Sequence, residues 1–392
     1  MSGPRFPITR PAFDEKERRL LAEVLDSGWV TQGPRTAEFE ARFARRHRVP
    51  FALATNSCTS ALHLSLSALG IGPGDEVVVP AFTWVTSAYC AEYVGARVVF
   101  ADIRLDTFNL DPEAFAAVVG PATRAAVVVH LFGQAAEMDP ILELARRHGI
   151  RVVEDAACAV GTEYRGTPVG GLGDLGCFSF HPRKVITTGE GGMVTTRDAE
   201  LAATVGARRN HGARAAPGPP AVPPKPYEMG SFDELGYNLR MSDLQGAVGV
   251  AQMDKLDSLL AERAACARRY HDLLGELADL ELPRAAPGCG HTYQSYVVRL
   301  REGGRERRNA VMESLAAEGI QTRPGTHAVH CLGYYRRRGI RREEFPRAAQ
   351  AEDTTITLPL FPGMSPGDQE QIAAGLRRAL ARAAPAPRPA SG

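Results

Sequence analysis

The stretch FSFHPRKVITTGEGG, residues 178–192, joins an alternating apolar and polar run, a single lysine at Lys184, and a glycine-rich turn. A lysine at a strand end is ordinarily a solvated surface group, so the neighbourhood has to decide what this one does. GCFSF (176–180) before it and GMVTT (192–196) after it both read as strands, which places Lys184 in the connection between two core elements.

Five more runs of the same kind lie upstream: FALATN (51–56), EVVVP (76–80), RVVFAD (97–102), AAVVVH (125–130) and RVVED (151–155). Most are continuous apolar runs, as strands buried on both faces require, and they alternate with helical patterns. The fold expected is α/β, with a mainly parallel seven-stranded sheet flanked by helices. Ligands of such sheets bind beyond the carboxyl ends of the strands, where Asn56, Asp155 and His181 to Lys184 would project. An amphipathic helix is expected at about Asp14–Asp26, and one long helix from Leu244 to Leu274, with Leu256, Leu259, Leu260 and Ala264 at helical spacing. YQSYVVRL, a helix near Arg307–Glu318, the strand TTITLPL and a helix over Pro366–Ala383 then build a smaller C-terminal α/β domain. The expected division is 1–250 for the large domain, 251–383 for the small one and 384–392 for a disordered tail. RAAPGPPAVPPKP, with six prolines and no apolar period, reads as an exposed loop over 214–226.

Composition narrows the function. At 392 residues, 44% hydrophobic and 23% charged, the chain can bury a sizeable core. With 46 basic against 45 acidic residues it has no overall field for nucleic acid. No apolar run approaches the ~20 residues of a membrane span, and the N-terminus has no signal-type apolar core, so a soluble, cytoplasmic protein is expected. Seven cysteines, Cys58, Cys90, Cys158, Cys177, Cys266, Cys289 and Cys331, form no CxxC pair, which favours free thiols over disulfides, structural zinc or an iron–sulfur cluster.

Four features bear on one chemistry. TNSCTSAL (55–62) sets Cys58 and Thr59 at a strand-to-helix junction, where free N–H groups suit a phosphate; the plain alternative is an ordinary Ser/Thr cap. VVEDAACAVG (152–161) ends a buried strand on Asp155, which needs either a cationic partner or a set of hydrogen-bond donors. Phe82 and Trp84, in PAFTWVTSAY (80–89), offer a ring to stack on a flat ligand or to fill the core. Ser179 and Lys184 complete the set, since a partly buried lysine amine bonds carbonyl carbons. Together they make a binding kit for pyridoxal phosphate.

SGW..QGP (27–34), SCTSALHL, GDEVVVPAFTWVTSA, VHLFGQAAEMDPI, VEDAACAVG, FSFHPRKVITTGEGG, GYNLRMSDLQGAVGVAQMDKLD (236–257) and TLPLFPGMS closely resemble the successive motifs of the DegT/DnrJ/StrS group. These are pyridoxal-phosphate aminotransferases of fold type I that act mostly on keto-sugars, and the similarity is collinear from about Pro7 to the last helix. The resemblance implies that Lys184 carries the cofactor and then shuttles a proton, that Asp155 pairs with the pyridine nitrogen, and that Trp84 stacks on the ring. It implies that Cys58, Thr59 and Ser179 hold the phosphate, and that Asn238 reaches the phosphate of the neighbouring subunit in a homodimer. Gln134 and His211 match recurrent positions near the site. Cys158 stands where the family often has Gln, Glu or His against the cofactor's phenolic oxygen, and a thiol is a weak donor. Arg183 replaces the usual Thr, and TRPGTHAVH (322–330), which contains His327, departs from the usual stretch before the final His. Glutamate or glutamine as amino donor and a nucleotide-linked keto-deoxysugar as acceptor are expected, with Arg183, Arg240 and Arg323 as candidates for a diphosphate. The alternatives are a cyclitol or other natural-product ketone as acceptor, a sugar dehydratase, and a regulatory protein that keeps the cofactor fold.

Overall fold

The computed structural model describes residues 4–214 and 231–383; the proline-rich stretch beyond Arg214 and the tail from 384 lie outside the described residues. All seven expected strands join one sheet: β1 (Phe51–Thr55), β2 (Glu76–Pro80), β3 (Arg97–Ala101), β4 (Thr123–Val129), β5 (Arg151–Asp155), β6 (Leu175–Ser179) and β7 (Gly192–Thr196). Their order is β1-β7-β6-β5-β4-β2-β3. The pairs from β6 through β3 are parallel, and β7 alone runs against its two neighbours.

Alternate residues of the central strands feed two cores, one on each face. Val78, Ala126, Val128 and Val152 enter one, while Val77, Val79, Ala125, Val127 and Val153 enter the other. Burial on both faces is why these strands read as unbroken apolar runs. Helix Pro34–His47 turns Phe39, Phe43 and His47 onto the first core. Phe43 meets Phe178 edge-on at 4.9 Å, and Phe39 meets Phe180 at 5.0 Å. Aromatic contacts of this kind, worth ~0.5–1.5 kcal/mol each beyond burial, fix the strand from which the Lys184 turn leaves.

A third core gathers Tyr270, Leu274, Tyr296, Val298, Ile320, Ile356 and Leu376, and also Phe6 from the N-terminus. Here a three-stranded antiparallel sheet, Leu280–Glu281, Tyr296–Leu300 and Thr355–Leu358, packs with helices Gly304–Ala317 and Pro366–Arg382. The long helix expected over Leu244–Leu274 is two helices, Asp243–Asp254 and Leu256–Leu274. They break at Lys255, whose backbone (φ −105, ψ 4) is not helical. Its Nζ is drawn to Asp14 at 2.7 Å and to the buried Glu17 at 2.8 Å.

Candidate active site

The carboxyl ends of the parallel strands collect the candidate residues on one edge of the sheet. β5 ends in two acidic side chains on opposite faces. Glu154, fully buried, accepts from the N–H groups of Gly170, Leu172 and Gly173 at 2.7–2.8 Å and from His130 Nε2 at 3.0 Å. His130 Nδ1 accepts from Ala136 N–H at 3.0 Å, so the ring proton lies on Nε2. Burial pushes the Glu154 carboxyl up, but His130 and the N–H donors outweigh it and leave it below its usual range. Glu154 thus anchors the end of β5 from behind.

Asp155 faces the other way and is 4% exposed. Ser87 Oγ donates to its Oδ2 at 2.6 Å and Ala157 N–H to its Oδ1 at 3.1 Å. Because the Ser87 proton is spent on Asp155, Thr83 Oγ1 must be the donor in its 2.9 Å bond to Ser87 Oγ. Sequence reading missed Ser87 and Thr83. The available signal was a pair of hydroxyl residues four apart across the start of helix Thr86–Tyr93, just after β2.

Lys184 sits in the turn after β6, its N–H bonded to His181 O at 2.8 Å. Its Nζ lies 3.1 Å from Cys158 Sγ, so the residue that departs from the family pattern touches the lysine amine. Arg183 and Arg323 flank the same turn. Burial first, then the charge of the other arginine, lowers the pKa of Arg183; burial lowers that of Arg323.

Ser57 caps helix Cys58–Ala68 by accepting from Ser60 N–H. The first intrahelical bond runs from Ala61 N–H to Ser57 O at 3.1 Å, which leaves the Cys58 and Thr59 N–H groups ahead of the ladder. Sheet register brings Ser179 to this place: Gly192 pairs with Thr55 on one side and Ser179 on the other. A Cβ on Gly192 would lie 2.5 Å from the Ser57 carbonyl, so only glycine lets β7 run this close to the helix start. Burial and the nearby charge of Asp155 raise the Cys58 thiol well above its usual range, and it offers a neutral S–H and its backbone N–H.

The structure separates the two aromatic candidates. Phe82 is fully buried against Phe108 and Phe132, whereas Trp84 is 53% exposed with His327 at 5.6 Å. Asn238 is exposed, on a segment laid along the end of β1 by the bond from Asn56 N–H to Leu239 O at 3.0 Å. Arg240 donates to Asn210 Oδ1 at 2.7 Å. Gln134 is buried and gives its amide to Arg284 O at 2.9 Å, a packing role, while His211 is exposed with φ +59.

A model of the DegT/DnrJ/EryC1/StrS aminotransferase family matches residues 11–377. The chain is 39% identical over 379 residues to GDP-perosamine synthase of Caulobacter vibrioides, covering 96% of this chain and 99% of that one. It is 37% identical over 379 residues to the spore coat polysaccharide biosynthesis protein SpsC of Bacillus subtilis, covering 95% and 96%. Among solved structures it is similar to Spr1654 of Streptococcus pneumoniae in its PMP form, with TM-score 0.91, 27% identity and 97% and 100% of the two chains covered. The PLP form of the same protein matches with TM-score 0.90 and 27% identity, covering 97% and 99%.

Proposed function

Since the chain belongs to the DegT/DnrJ/EryC1/StrS aminotransferase family, we propose that it transfers an amino group from glutamate or glutamine to a nucleotide-linked keto-sugar. The observation that carries the sugar is the 39% identity to GDP-perosamine synthase along nearly the full length of both chains.

The cofactor is pyridoxal phosphate, and the residues present fit it: an amine in a turn, a buried carboxyl aimed away from its own strand, and uncommitted N–H groups at a helix start. When bound, it supplies an electron sink for the charge left as a proton leaves the donor's α-carbon. Lys184 Nζ would anchor the cofactor and, once freed by the amino donor, would be the base that takes the proton from the donor's α-carbon and gives it back as an acid. Asp155, oriented by Ser87 and the Ala157 N–H, meets the pyridine nitrogen; an opposite charge at contact raises the proton affinity of such a nitrogen by ~1–3 pKa units. The N–H groups of Cys58 and Thr59, with the Ser179 hydroxyl, receive the phosphate at the positive end of a helix. Trp84 would cover the ring face, and the Cys158 thiol packs beside Lys184 Nζ.

The working unit is a homodimer with shared sites. Trp29, Val30, Tyr93, Leu235 and Tyr237 are exposed apolar side chains, and Asn238 sits among the last of them, available to a second subunit's phosphate. The protein works in the cytoplasm: all seven cysteines are free, and among the described residues no helix is long and apolar enough to cross a membrane.

The test begins with the cofactor-loaded enzyme and L-glutamate or L-glutamine, following the cofactor absorbance through one half-reaction. Nucleotide-linked keto-sugars and keto-cyclitols are then offered to the aminated form. Return of the starting spectrum with a nucleotide-linked keto-sugar is expected, and return with cyclitols alone overturns the sugar assignment. Lys184→Ala should lose turnover and the borohydride-reducible link to the cofactor; a reducible adduct in that variant would assign the anchor to another amine.

A further inference from the structure

Residues 290–295 lead into strand Tyr296–Leu300 of the small sheet, yet on the way they bind the chain beyond three neighbouring strands of the large one. After β4, Ala135 N–H donates to Gly290 O at 3.0 Å, Thr292 N–H to Gly133 O at 2.9 Å and Ser295 N–H to Phe132 O at 3.3 Å. After β5, Gly290 N–H donates to Glu163 O at 2.7 Å, and the hydroxyls of Thr162 and Thr292 meet at 3.1 Å. After β6, Gln294 Nε2 donates to Arg183 O at 2.7 Å. That oxygen belongs to the peptide joining Arg183 to Lys184, whose N–H already bonds His181 O. Both polar atoms of the peptide before Lys184 are thereby held.

The fit leaves no slack. Gly133 has φ +93, and a Cβ there would lie 2.5 Å from Thr292 Oγ1, 3.0 Å from Gln294 N and 3.1 Å from Cys158 O. Gln294 is 7% exposed, and Ser295 Oγ donates to its Oε1 at 3.2 Å, which turns the Nε2 end toward Arg183. Beneath the segment stands Arg263, on helix Leu256–Leu274 and 2% exposed. Its Nη1 donates to the carbonyls of Tyr293 and Gln294 at 3.3 and 3.2 Å, and its Nε is buried with no partner among the described residues. A buried guanidinium that meets main-chain carbonyls is a costly way to support a loop, and apolar packing would serve stability as well.

We infer that residues 290–295 form a brace that positions Lys184, with Gln294 holding the peptide before the lysine and Arg263 holding Gln294. Both are positioning residues, and the inference rests on the reading of Lys184 as the cofactor's anchor. The lysine stem is long and flexible, so a fixed backbone origin is what narrows the space its amine searches. Asp155 is held separately, by Ser87 and the Ala157 N–H, and the Cys58 and Thr59 N–H groups belong to a helix the brace does not touch. Loosening the brace should therefore displace the amine and leave the seat of the phosphate and ring in place.

The test compares two ligands of the cofactor-free full chain: pyridoxal 5'-phosphate, and pyridoxine 5'-phosphate, whose alcohol cannot bond the amine. Gln294→Leu keeps the bulk of the side chain and removes the donor. Its affinity for pyridoxine phosphate should stay within about twofold of the parent. The rate at which pyridoxal phosphate becomes borohydride-reducibly linked to Lys184 should fall about tenfold to a hundredfold. Arg263→Met should show the same split, and Arg263→Lys, which keeps a donor for the carbonyls, should lose less. The double variant Gln294→Leu/Arg263→Lys should link no more slowly than Gln294→Leu alone, as for two residues acting in series. A parent-like linking rate in Gln294→Leu would overturn the brace, whether or not Arg263→Met folds. So would an equal loss for both ligands, which marks general damage to the site, or multiplying losses in the double variant. A parent chain that forms no reducible link would strike the anchor reading itself, and the brace's role with it.

Discussion

Gly192→Ala tests the phosphate end of the site without touching any group that would bind there. The added Cβ would sit 2.5 Å from the carbonyl carbon and oxygen of Ser57 and 2.7 Å from the nitrogen of Cys58. All three are backbone atoms, so no rotamer change relieves the overlap. Restoring ordinary contact requires β7 and the start of helix Cys58–Ala68 to part by about 1 Å, and overpacking of this size costs about 1–3 kcal/mol. Ser179 lies directly opposite Gly192 in the sheet and moves with β7, while the Cys58 and Thr59 N–H groups move with the helix. A phosphate that needs both then loses one set. The variant should fold, with an unfolding free energy lower by about 1–3 kcal/mol. Its cofactor dissociation constant should rise about tenfold to a hundredfold, the equivalent of a similar energy. Fluorescence titration of pyridoxal phosphate into the apoprotein measures the affinity, and denaturant unfolding of the apoprotein measures the stability. A stability loss of the expected size with cofactor affinity within about twofold of the parent would show that the phosphate does not bind between the helix start and β7.

Asp155→Asn should fold yet lose about a thousandfold in rate, equivalent to ~4 kcal/mol of lost charge stabilisation, and Ser87→Ala, which removes the 2.6 Å bond to Asp155, should lose about tenfold to a hundredfold. Steady-state rates check both, and parent-like turnover in either would remove that residue from the mechanism. Mixing inactive Lys184→Ala and inactive Asn238→Asp subunits should restore part of the activity, because some hybrid dimers carry one site free of both defects; no recovery after subunit exchange is verified would place Asn238 in its own subunit's site or in none. His47 is buried with Nε2 unpartnered among the described residues, and burial lowers its pKa to about 4. An unfolded chain binds that proton near pH 6.5, so the stability involved is complete above 6.5 and is lost as pH falls toward 4, by about 3 kcal/mol. In His47→Phe the dependence of unfolding free energy on pH across this window should flatten by about one proton; an unchanged slope would assign the acid sensitivity elsewhere.

The sheet was legible because most of its strands are apolar on both faces, a local property that needs no knowledge of neighbours. Asp155 and Lys184 stand out as candidates for the opposite reason, as polar residues where the local pattern predicts core. Ser87 was not: whether a hydroxyl in a helix's first turn is an idle cap or the support of a distant carboxyl depends on β2 and β5 lying two strands apart in the sheet. The choice between Phe82 and Trp84 was open for a similar cause, since the pairing of Phe82 with Ala328 that buries it crosses most of the chain. The break at Lys255 left no signal in the apolar spacing around it, and the carboxyl its Nζ meets, Glu17, lies at the far end of the sequence.

The placement of Phe6 in the C-terminal core bears on how the chain is made. Phe6 N–H bonds Gly319 O at 3.0 Å, Gln321 N–H returns a bond to Phe6 O at 2.9 Å, and Ile8 N–H reaches Gln321 Oε1 across 313 residues of sequence. At the ~5–20 residues per second of ribosomal elongation, the first segment waits about 15 to 60 s for its partner to emerge. Through that interval the apolar Phe6, Ile8 and the stretch around them have no native seat, whatever the state of the seven-stranded sheet. The C-terminal core therefore cannot close around Phe6 until residues 319–321 have been made, and the stretch around Phe6 is exposed through that interval.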